Sequence, residues 1–100
     1  DKAPHGQIII NTARANLVDE SAIAEALRSG RLSFYAADTL STENTKFDSK
    51  LLVNDLADKT LFTPHLGAQT DQSIDLMGSM AVENVLATLA GKPIRNLITL

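Results

Sequence analysis

The sequence contains no cysteine and no tryptophan, and aromatic residues make up only 4% of its 100 residues. Without cysteine the chain has no disulfide, no thiolate metal site and no cysteine nucleophile. Few aromatic side chains leave no stacking surface for nucleic-acid bases. The 9 Lys and Arg residues are scattered along a chain of net charge −3, so they form no phosphate-binding patch. We therefore expect no nucleic-acid partner.

Long apolar runs are also absent from the sequence. The run Ile8-Ile9-Ile10 is far shorter than the roughly 18 apolar residues of a membrane span, so we expect no membrane partner. The chain starts at Asp1 with no Met and no apolar signal core, which favours the cytoplasm and a start within a longer protein. Its two histidines, His5 and His65, lack the close spacing of metal ligands, so we expect no metal site.

The first part of the chain has the pattern of a strand, a helix and a second strand. The apolar run within residues 7–12 predicts a strand buried on both faces. Apolar residues at helical spacing predict a helix over residues 20–29, with Asp19 as N-cap and Gly30 just past the C-terminus. Residues 32–38 predict a second strand, which makes the segment a βαβ unit with neighbouring parallel strands.

The second part of the chain continues the alternation. Residues 41–50 are polar and predict a surface loop, residues 51–56 predict one helical turn, and residues 60–63 predict a short strand stopped by Pro64. A long helix is predicted at about residues 70–90, where apolar residues recur every three or four positions. This stripe consists of Ile74, Met77, Ala81, Val85 and Leu89.

Alternating strands and helices predict an α/β fold with a parallel sheet. Three short strands are too few for a complete doubly wound sheet. We therefore expect a partial Rossmann-like sheet in which residues 1–100 supply one part of a larger domain.

Polar side chains follow each predicted strand. Arg14, Asp38 and His65 come just after the three apolar runs, and Glu43 follows Asp38 by five residues. Ligands of open α/β sheets bind beyond the carboxyl ends of the strands, so these side chains are expected to converge. Arginine binds carboxylates through two parallel hydrogen bonds, and histidine exchanges a proton near neutral pH. An anion clamp beside a proton donor suits the reduction of an oxo acid.

Each of these residues also has a purely structural interpretation. Arg14 can be a solvated or helix-pairing side chain, and Asp38 can cap a turn. Glu43 lies in a polar loop, where most carboxylates face solvent. His65 is the strongest single candidate, whereas His5 is expected to be exposed and without a role.

The chain resembles the D-isomer-specific 2-hydroxyacid dehydrogenases along nearly its whole length. The resemblance rests on IIINTAR at 8–14, LVDE at 17–20, ALRSG at 26–30, Asp38, and TPHLGAQT at 63–70. It is closest to the phosphoglycerate dehydrogenase-like branch. The matching part of that family is the C-terminal part of the NAD-binding domain, followed by the helix, here about residues 70–90, that returns to the substrate domain.

The resemblance implies a role for each matching residue. Arg14 would bind the substrate carboxylate and polarise the oxo group, His65 would be the general acid, and Glu43 would orient His65. Asp38 would hold the nicotinamide carboxamide. The implied NAD-binding residues are Thr12, Ala13, Arg14, Asp38, His65, Leu66 and Gly67.

The implied function is that of an NAD-dependent oxidoreductase interconverting a D-2-hydroxy acid and its 2-oxo acid, with 3-phosphoglycerate as one candidate. The implied assembly is a homodimer. A nucleotide-sensing, corepressor-like relative that acts through protein partners is the alternative. The sequence leaves open which acid is the substrate and whether NAD or NADP is used, because the parts that select them in the family have no counterpart in this chain.

The chain also departs from the family pattern. Ala15 stands where Gly usually follows the arginine, so the backbone there must avoid positive φ or accept strain. The loop after Asp38 lacks the usual proline, which leaves Asp48 as a competitor of Glu43 for the partner of His65. No GxGxxG turn is present to hold a pyrophosphate, so we expect these 100 residues alone to be inactive.

Overall fold

The computed structural model describes residues 2–41 and 49–98. The chain divides into two compact units, Asp1–Gly67 and Ala68–Leu100. The elements are β1 (Gln7–Asn11), α1 (Glu20–Arg28), β2 (Leu32–Ala37), β3 (Thr60–Phe62) and α2 (Asp71–Leu89), with short 3-10 turns at Ala15–Leu17 and Asn54–Leu56.

The first unit is built on a three-stranded parallel sheet in the order β1-β2-β3. Its register places Tyr35 beside both Ile9 and Thr60. The predicted βαβ unit and the α/β fold class are therefore confirmed. β1 and β2 each end one residue earlier than predicted, because the Asn11 side chain folds the residues after β1 into a turn and the Asp38 side chain bonds to the turn after β3. The helical turn expected at 51–56 is shorter, at Asn54–Leu56.

The hydrophobic core lies between α1 and one face of the sheet. Tyr35 and Ala37 alternate along β2 toward this face, as strand geometry requires. Ala24 and Leu27 are the two buried residues of α1. The Tyr35 and Phe62 rings tilt against each other with centroids 6.3 Å apart, within the range of favourable aromatic pairs. The complete core cluster is Ala24, Leu27, Leu32, Tyr35, Ala37, Leu51 and Leu56.

The opposite face of the sheet is largely exposed within the part of the chain that the structure describes. Ile8 and Ile10 of β1 are 59% and 69% exposed. Leu61 of β3 lies on the same face, because Ala36 pairs with both Ile10 and Leu61, and it is 59% exposed. The expectation that β1 is buried on both faces is therefore wrong for these residues. The reason is that α1 and Leu51 pack only on the face that carries Tyr35.

Both ends of α1 follow their predicted capping residues. The Asp19 carboxylate accepts hydrogen bonds from the backbone N–H groups of Ser21 (2.9 Å) and Ala22 (3.2 Å), so it is the N-cap. Gly30 takes φ of 75°, which glycine adopts without the steric cost of a Cβ. Lys59 adds a hydrogen bond from its Nζ to the Leu27 carbonyl at 3.1 Å.

Removal of the Asp19 cap is expected to destabilise α1. Asp19→Ala leaves the two N–H groups without their side-chain acceptor, and cap removal typically costs about 0.5–2 kcal/mol of the free energy of unfolding. Asp19→Ser, which keeps an acceptor oxygen, is the matched control. Urea denaturation of the full-length protein measures both, and equal stabilities of the two variants would show that the cap contributes nothing.

The second unit contains α2, which confirms the helix predicted at about 70–90. Thr70 caps its start by accepting from the Ser73 N–H at 3.1 Å. At its end Gly91 has φ of 63°, and the Lys92 N–H donates to the Ala87 carbonyl, a Schellman arrangement. No described side chain of α2 is buried. Apolar residues outside the predicted stripe, such as Leu76 and Leu86, are exposed as well.

Among the described helices, none has the combination of length and apolar composition that a membrane span requires.

Candidate functional site

The residues predicted to carry chemistry follow the three parallel strands at one edge of the sheet. Arg14 lies three residues after β1, Asp38 directly follows β2, and His65 lies three residues after β3. The Asp38 N–H donates to the Asn11 carbonyl at 3.1 Å, which joins the first two strand ends. Glu43 and its competitor Asp48 lie outside the described residues.

Asn11 organises the turn after β1. Its buried side chain accepts from the Ala13 N–H at 3.0 Å and donates through Nδ2 to the Arg14 carbonyl at 2.8 Å. This is an Asx turn, in which a short amide side chain replaces backbone hydrogen bonds. This role of Asn11 is not among the predictions from the sequence, although an Asn directly after an apolar run is a typical turn signal. Asn11 thereby fixes the backbone from Thr12 to Arg14.

Arg14 is exposed and has extended backbone, with φ of −136° and ψ of 145°. Its Nη1 donates to the neighbouring Ala13 carbonyl at 2.9 Å. Among the described residues no carboxylate forms an ion pair with it, so its remaining donors can bind an anion. Ala15 begins a 3-10 turn and is not among the described residues with positive φ, so the replacement of the family glycine causes no strain there.

Asp38 is nearly buried and bonds to the turn that follows β3. Its Oδ1 accepts from the Thr63 hydroxyl and from the Leu66 N–H (2.9 Å), and its Oδ2 accepts from the Gly67 N–H at 2.8 Å. These hydrogen bonds, that from Thr63 above all, lower the pKa of Asp38 below its ordinary value, since they favour the charged form. Asp38 is therefore a carboxylate with most of its acceptor capacity already in use.

His65 lies at the centre of the same turn. Its backbone is left-handed, with φ of 57°, and its N–H donates to the Asp38 carbonyl at 2.9 Å. The left-handed region is uncommon for residues other than glycine, although histidine enters it more often than most. Its side chain is exposed. The structure thus brings His65 together with Asp38 through the backbone, and among the described residues Arg14 and His65 share no hydrogen bond.

A cavity of about 100 Å³ opens beside Asp38. Apolar side chains on the exposed face of the sheet form its floor, and Thr12 and Thr63 form its polar border. The small side chain of Ala36, which pairs with Ile10 and Leu61, leaves space on this face of the sheet for a flat ring. The lining residues are Ile10, Thr12, Ala36, Ala37, Asp38, Leu61 and Thr63.

A larger cavity of about 400 Å³ lies at the start of α1 and includes Asp19, Glu20, Ser41 and Ser49. The Glu20 carboxylate accepts from the Ser41 N–H and the Ser49 hydroxyl, each at 2.6 Å. The Glu20 carboxylate of this cavity thus forms local hydrogen bonds. The size of the cavity therefore does not identify it as the functional site. In residues 2–41 and 49–98, no three His, Asp or Glu side chains are grouped as metal ligands would be.

Comparison with known proteins matches residues 1–67 to the family described as D-isomer specific 2-hydroxyacid dehydrogenase, NAD binding domain. A D-3-phosphoglycerate dehydrogenase of Mycobacterium leprae is 41% identical over 91 residues, which is 91% of this chain and 16% of that protein. A glycerate dehydrogenase of Methylorubrum extorquens is 34% identical over 92 residues, 92% of this chain and 29% of that protein. The chain thus spans less than a third of the length of either relative.

A similar arrangement occurs in a solved structure. The D-isomer specific 2-hydroxyacid dehydrogenase of Xanthobacter autotrophicus Py2, crystallised with NADPH and MES, has a TM-score of 0.73 to this chain at 33% identity. The match covers 96% of this chain and 38% of that one. The partial Rossmann-like sheet expected from the sequence is therefore the observed fold.

Proposed function

This chain belongs to the D-isomer specific 2-hydroxyacid dehydrogenases, in the NAD binding domain of that family, and on that premise we propose that the full-length protein is an NAD-dependent oxidoreductase that interconverts a D-2-hydroxy acid and its 2-oxo acid. The observation that carries the proposal is the placement of Arg14, Asp38 and His65 after three neighbouring parallel strands, beside a cavity that suits a nicotinamide ring. We take 3-phosphoglycerate as the first candidate substrate, because the Mycobacterium leprae relative is a D-3-phosphoglycerate dehydrogenase.

Arg14 is the residue proposed to recognise the substrate. Its exposed guanidinium has donors available for the two oxygens of a 2-oxo acid's carboxylate, and this planar pairing fixes the orientation of the acid. The same positive charge polarises the adjacent carbonyl. Asn11 supports this role, because it holds the backbone from which the Arg14 side chain extends.

His65 is the residue proposed to supply the proton. Its imidazole N–H donates to the 2-oxo oxygen as the carbonyl carbon is reduced, so that oxygen becomes the hydroxyl of the product. The reduced nicotinamide, when bound, supplies the hydride that this carbon receives. In the reverse direction the imidazole accepts the hydroxyl proton. We propose Glu43 as the residue that orients the imidazole.

The apolar floor of the cavity and the turn after β1 are proposed to hold the nicotinamide end of the cofactor. Ile10 and Leu61 would contact a face of the ring, and the backbone of Thr12 and Ala13 would border it. The described residues offer no glycine-rich turn for the pyrophosphate, so the rest of the cofactor would bind elsewhere in the full-length protein.

We further propose that residues 1–100 form the C-terminal part of the NAD-binding domain, with α2 leading toward a substrate domain. On this basis the 100 residues alone lack dehydrogenase activity. We propose that the full-length protein is a homodimer, as the family resemblance implies, and that it is cytoplasmic, as expected from the sequence.

The experiment that tests the function is NADH and NADPH oxidation by the full-length protein with a panel of 2-oxo acids. The panel includes phosphohydroxypyruvate, hydroxypyruvate, glyoxylate and pyruvate. Turnover is measured as the loss of absorbance of the reduced nicotinamide. We expect turnover with at least one acid, with phosphohydroxypyruvate first. Tight NADH binding without turnover of any acid would contradict the proposed oxidoreductase activity and favour a nucleotide-sensing protein.

A further inference from the structure

The carboxylate of Asp38 is bonded to the turn at residues 63–67 through three separate donors. They are the Thr63 hydroxyl and the Leu66 N–H on Oδ1, and the Gly67 N–H on Oδ2. A carboxylate offers about four acceptor positions, so these bonds use most of them. The family resemblance assigns Asp38 to the nicotinamide carboxamide, yet the contacts of its carboxylate within the described residues are to this turn.

His65 lies between the residues that Asp38 holds. Thr63 is bonded on one side, Leu66 and Gly67 on the other, and the His65 N–H itself donates to the Asp38 backbone carbonyl at 2.9 Å. A left-handed backbone is sterically unfavourable for a residue with a Cβ, so it persists only where neighbouring contacts impose it. The contacts that impose it at His65 come mainly from Asp38.

Gly67 shows how closely the turn fits the carboxylate. A Cβ added at Gly67 would lie 3.0 Å from Asp38 Oδ2, a distance at which the carboxylate must give way by a few tenths of an ångström. The backbone of Gly67 does not have the positive φ that would itself exclude a side chain. The absence of a side chain at Gly67 therefore leaves space for the hydrogen bond to Asp38, whereas the backbone conformation there does not require glycine.

We propose that Asp38 is a positioning residue whose carboxylate fixes the turn at residues 63–67 and thereby the direction of the His65 side chain. This inference rests on the proposed function insofar as it concerns His65 as the general acid. Its structural half, that Asp38 imposes the turn, stands independently of any activity. The two halves therefore need separate measurements.

Asp38→Asn in the full-length protein is the first test. The amide keeps the size of the side chain but replaces one charged acceptor with a donor that faces N–H groups, and hydrogen bonds to a charged group contribute more than neutral ones. We expect kcat to fall by about tenfold or more, while the dissociation constant of NADH changes by less than about twofold. Hydrogen–deuterium exchange of the peptide 63–69 is expected to become faster.

Thr63 provides a second test that leaves Asp38 intact. Thr63→Val keeps the shape but removes the hydroxyl that donates to Asp38 Oδ1. We expect faster exchange of peptide 63–69 and a lower kcat. Thr63→Ser keeps the hydroxyl and is expected to restore both toward wild-type values, which a mere loss of packing at Thr63 would not do.

Gly67→Ala is the third test, and Gly78→Ala is its control. An added Cβ at Gly67 displaces the Asp38 carboxylate, whereas nothing lies within 4 Å of one added at Gly78. We expect the first variant to resemble Asp38→Asn and the second to match the wild type in kcat and in the exchange of peptide 63–69.

The results separate this inference from the proposed function. If the wild type reduces no 2-oxo acid, the proposed function fails, and the exchange of peptide 63–69 in the variants still decides whether Asp38 holds the turn. If Asp38→Asn weakens NADH binding tenfold or more while exchange is unchanged, Asp38 is a cofactor ligand and the positioning role is overturned. If Asp38→Asn does not fold, the Thr63→Val and Gly67→Ala variants, each with its control, decide by the same measurements whether Asp38 holds the turn.

Discussion

Replacement of His65 by Gln is expected to lower kcat of the full-length protein by about 10²–10⁴, the usual contribution of general acid–base catalysis. Glutamine can still donate a hydrogen bond to the 2-oxo oxygen, but it cannot transfer a proton to it. The dissociation constant of NADH is expected to stay near the wild-type value, because the backbone of the 63–67 turn remains. Steady-state kinetics and NADH fluorescence titration measure the two quantities.

His5→Gln is the matched control for this variant. His5 is the other histidine of the chain; it is exposed and lies before the start of β1, at the opposite end of that strand from Arg14. We expect its replacement to leave kcat unchanged. A His65→Gln variant with near wild-type kcat would assign the proton donor to another residue.

Replacement of Arg14 by Lys is expected to reduce kcat/KM for the 2-oxo acid by about 10- to 100-fold. Lysine keeps the charge but not the planar pair of donors, so it cannot hold the substrate carboxylate in a fixed orientation. NADH affinity is expected to change little. The measurement is kcat/KM with the best acid of the panel, together with NADH titration.

Arg28→Lys is the control for the change of arginine to lysine. Arg28 Nε is bonded to Asp55 Oδ2 at 2.7 Å on the surface of the first unit, and both side chains are at least half exposed. Its replacement is expected to leave kcat/KM unchanged. Equal losses at Arg14 and Arg28 would mean that the effect comes from the general stability of the protein and not from substrate recognition.

Local sequence signals were sufficient for most of the fold. Asp19 and Gly30 mark the ends of α1 because capping and left-handed backbone depend on nearest neighbours. The exposure of Ile8 and Ile10 was not predictable. A continuous apolar run indicates that a strand can be buried on both faces, but whether a second layer covers it depends on other parts of the structure.

Arg14, Asp38 and His65 could be predicted as site residues from the sequence, because each follows a predicted strand and parallel strands bring their carboxyl ends to one edge of the sheet. It did not identify what Asp38 bonds to, since its partners Thr63 and Gly67 are 25 and 29 positions away. The left-handed backbone of His65 was equally hidden, because nothing in the local sequence TPHLG requires it. Contacts of this kind follow from tertiary structure alone.

The same sequence distance has a consequence for the order of folding events. We expect the turn around His65 to form after β2 and β3 have paired, because pairing of the strands brings Asp38 to residues 63–67. Contacts distant in sequence require the closure of a long loop and therefore form late. During refolding we expect α1 to pack on β2 while His65 still samples the ordinary right-handed and extended conformations. The imidazole acquires its fixed direction only in the last stage, so recovery of activity would lag behind recovery of secondary structure.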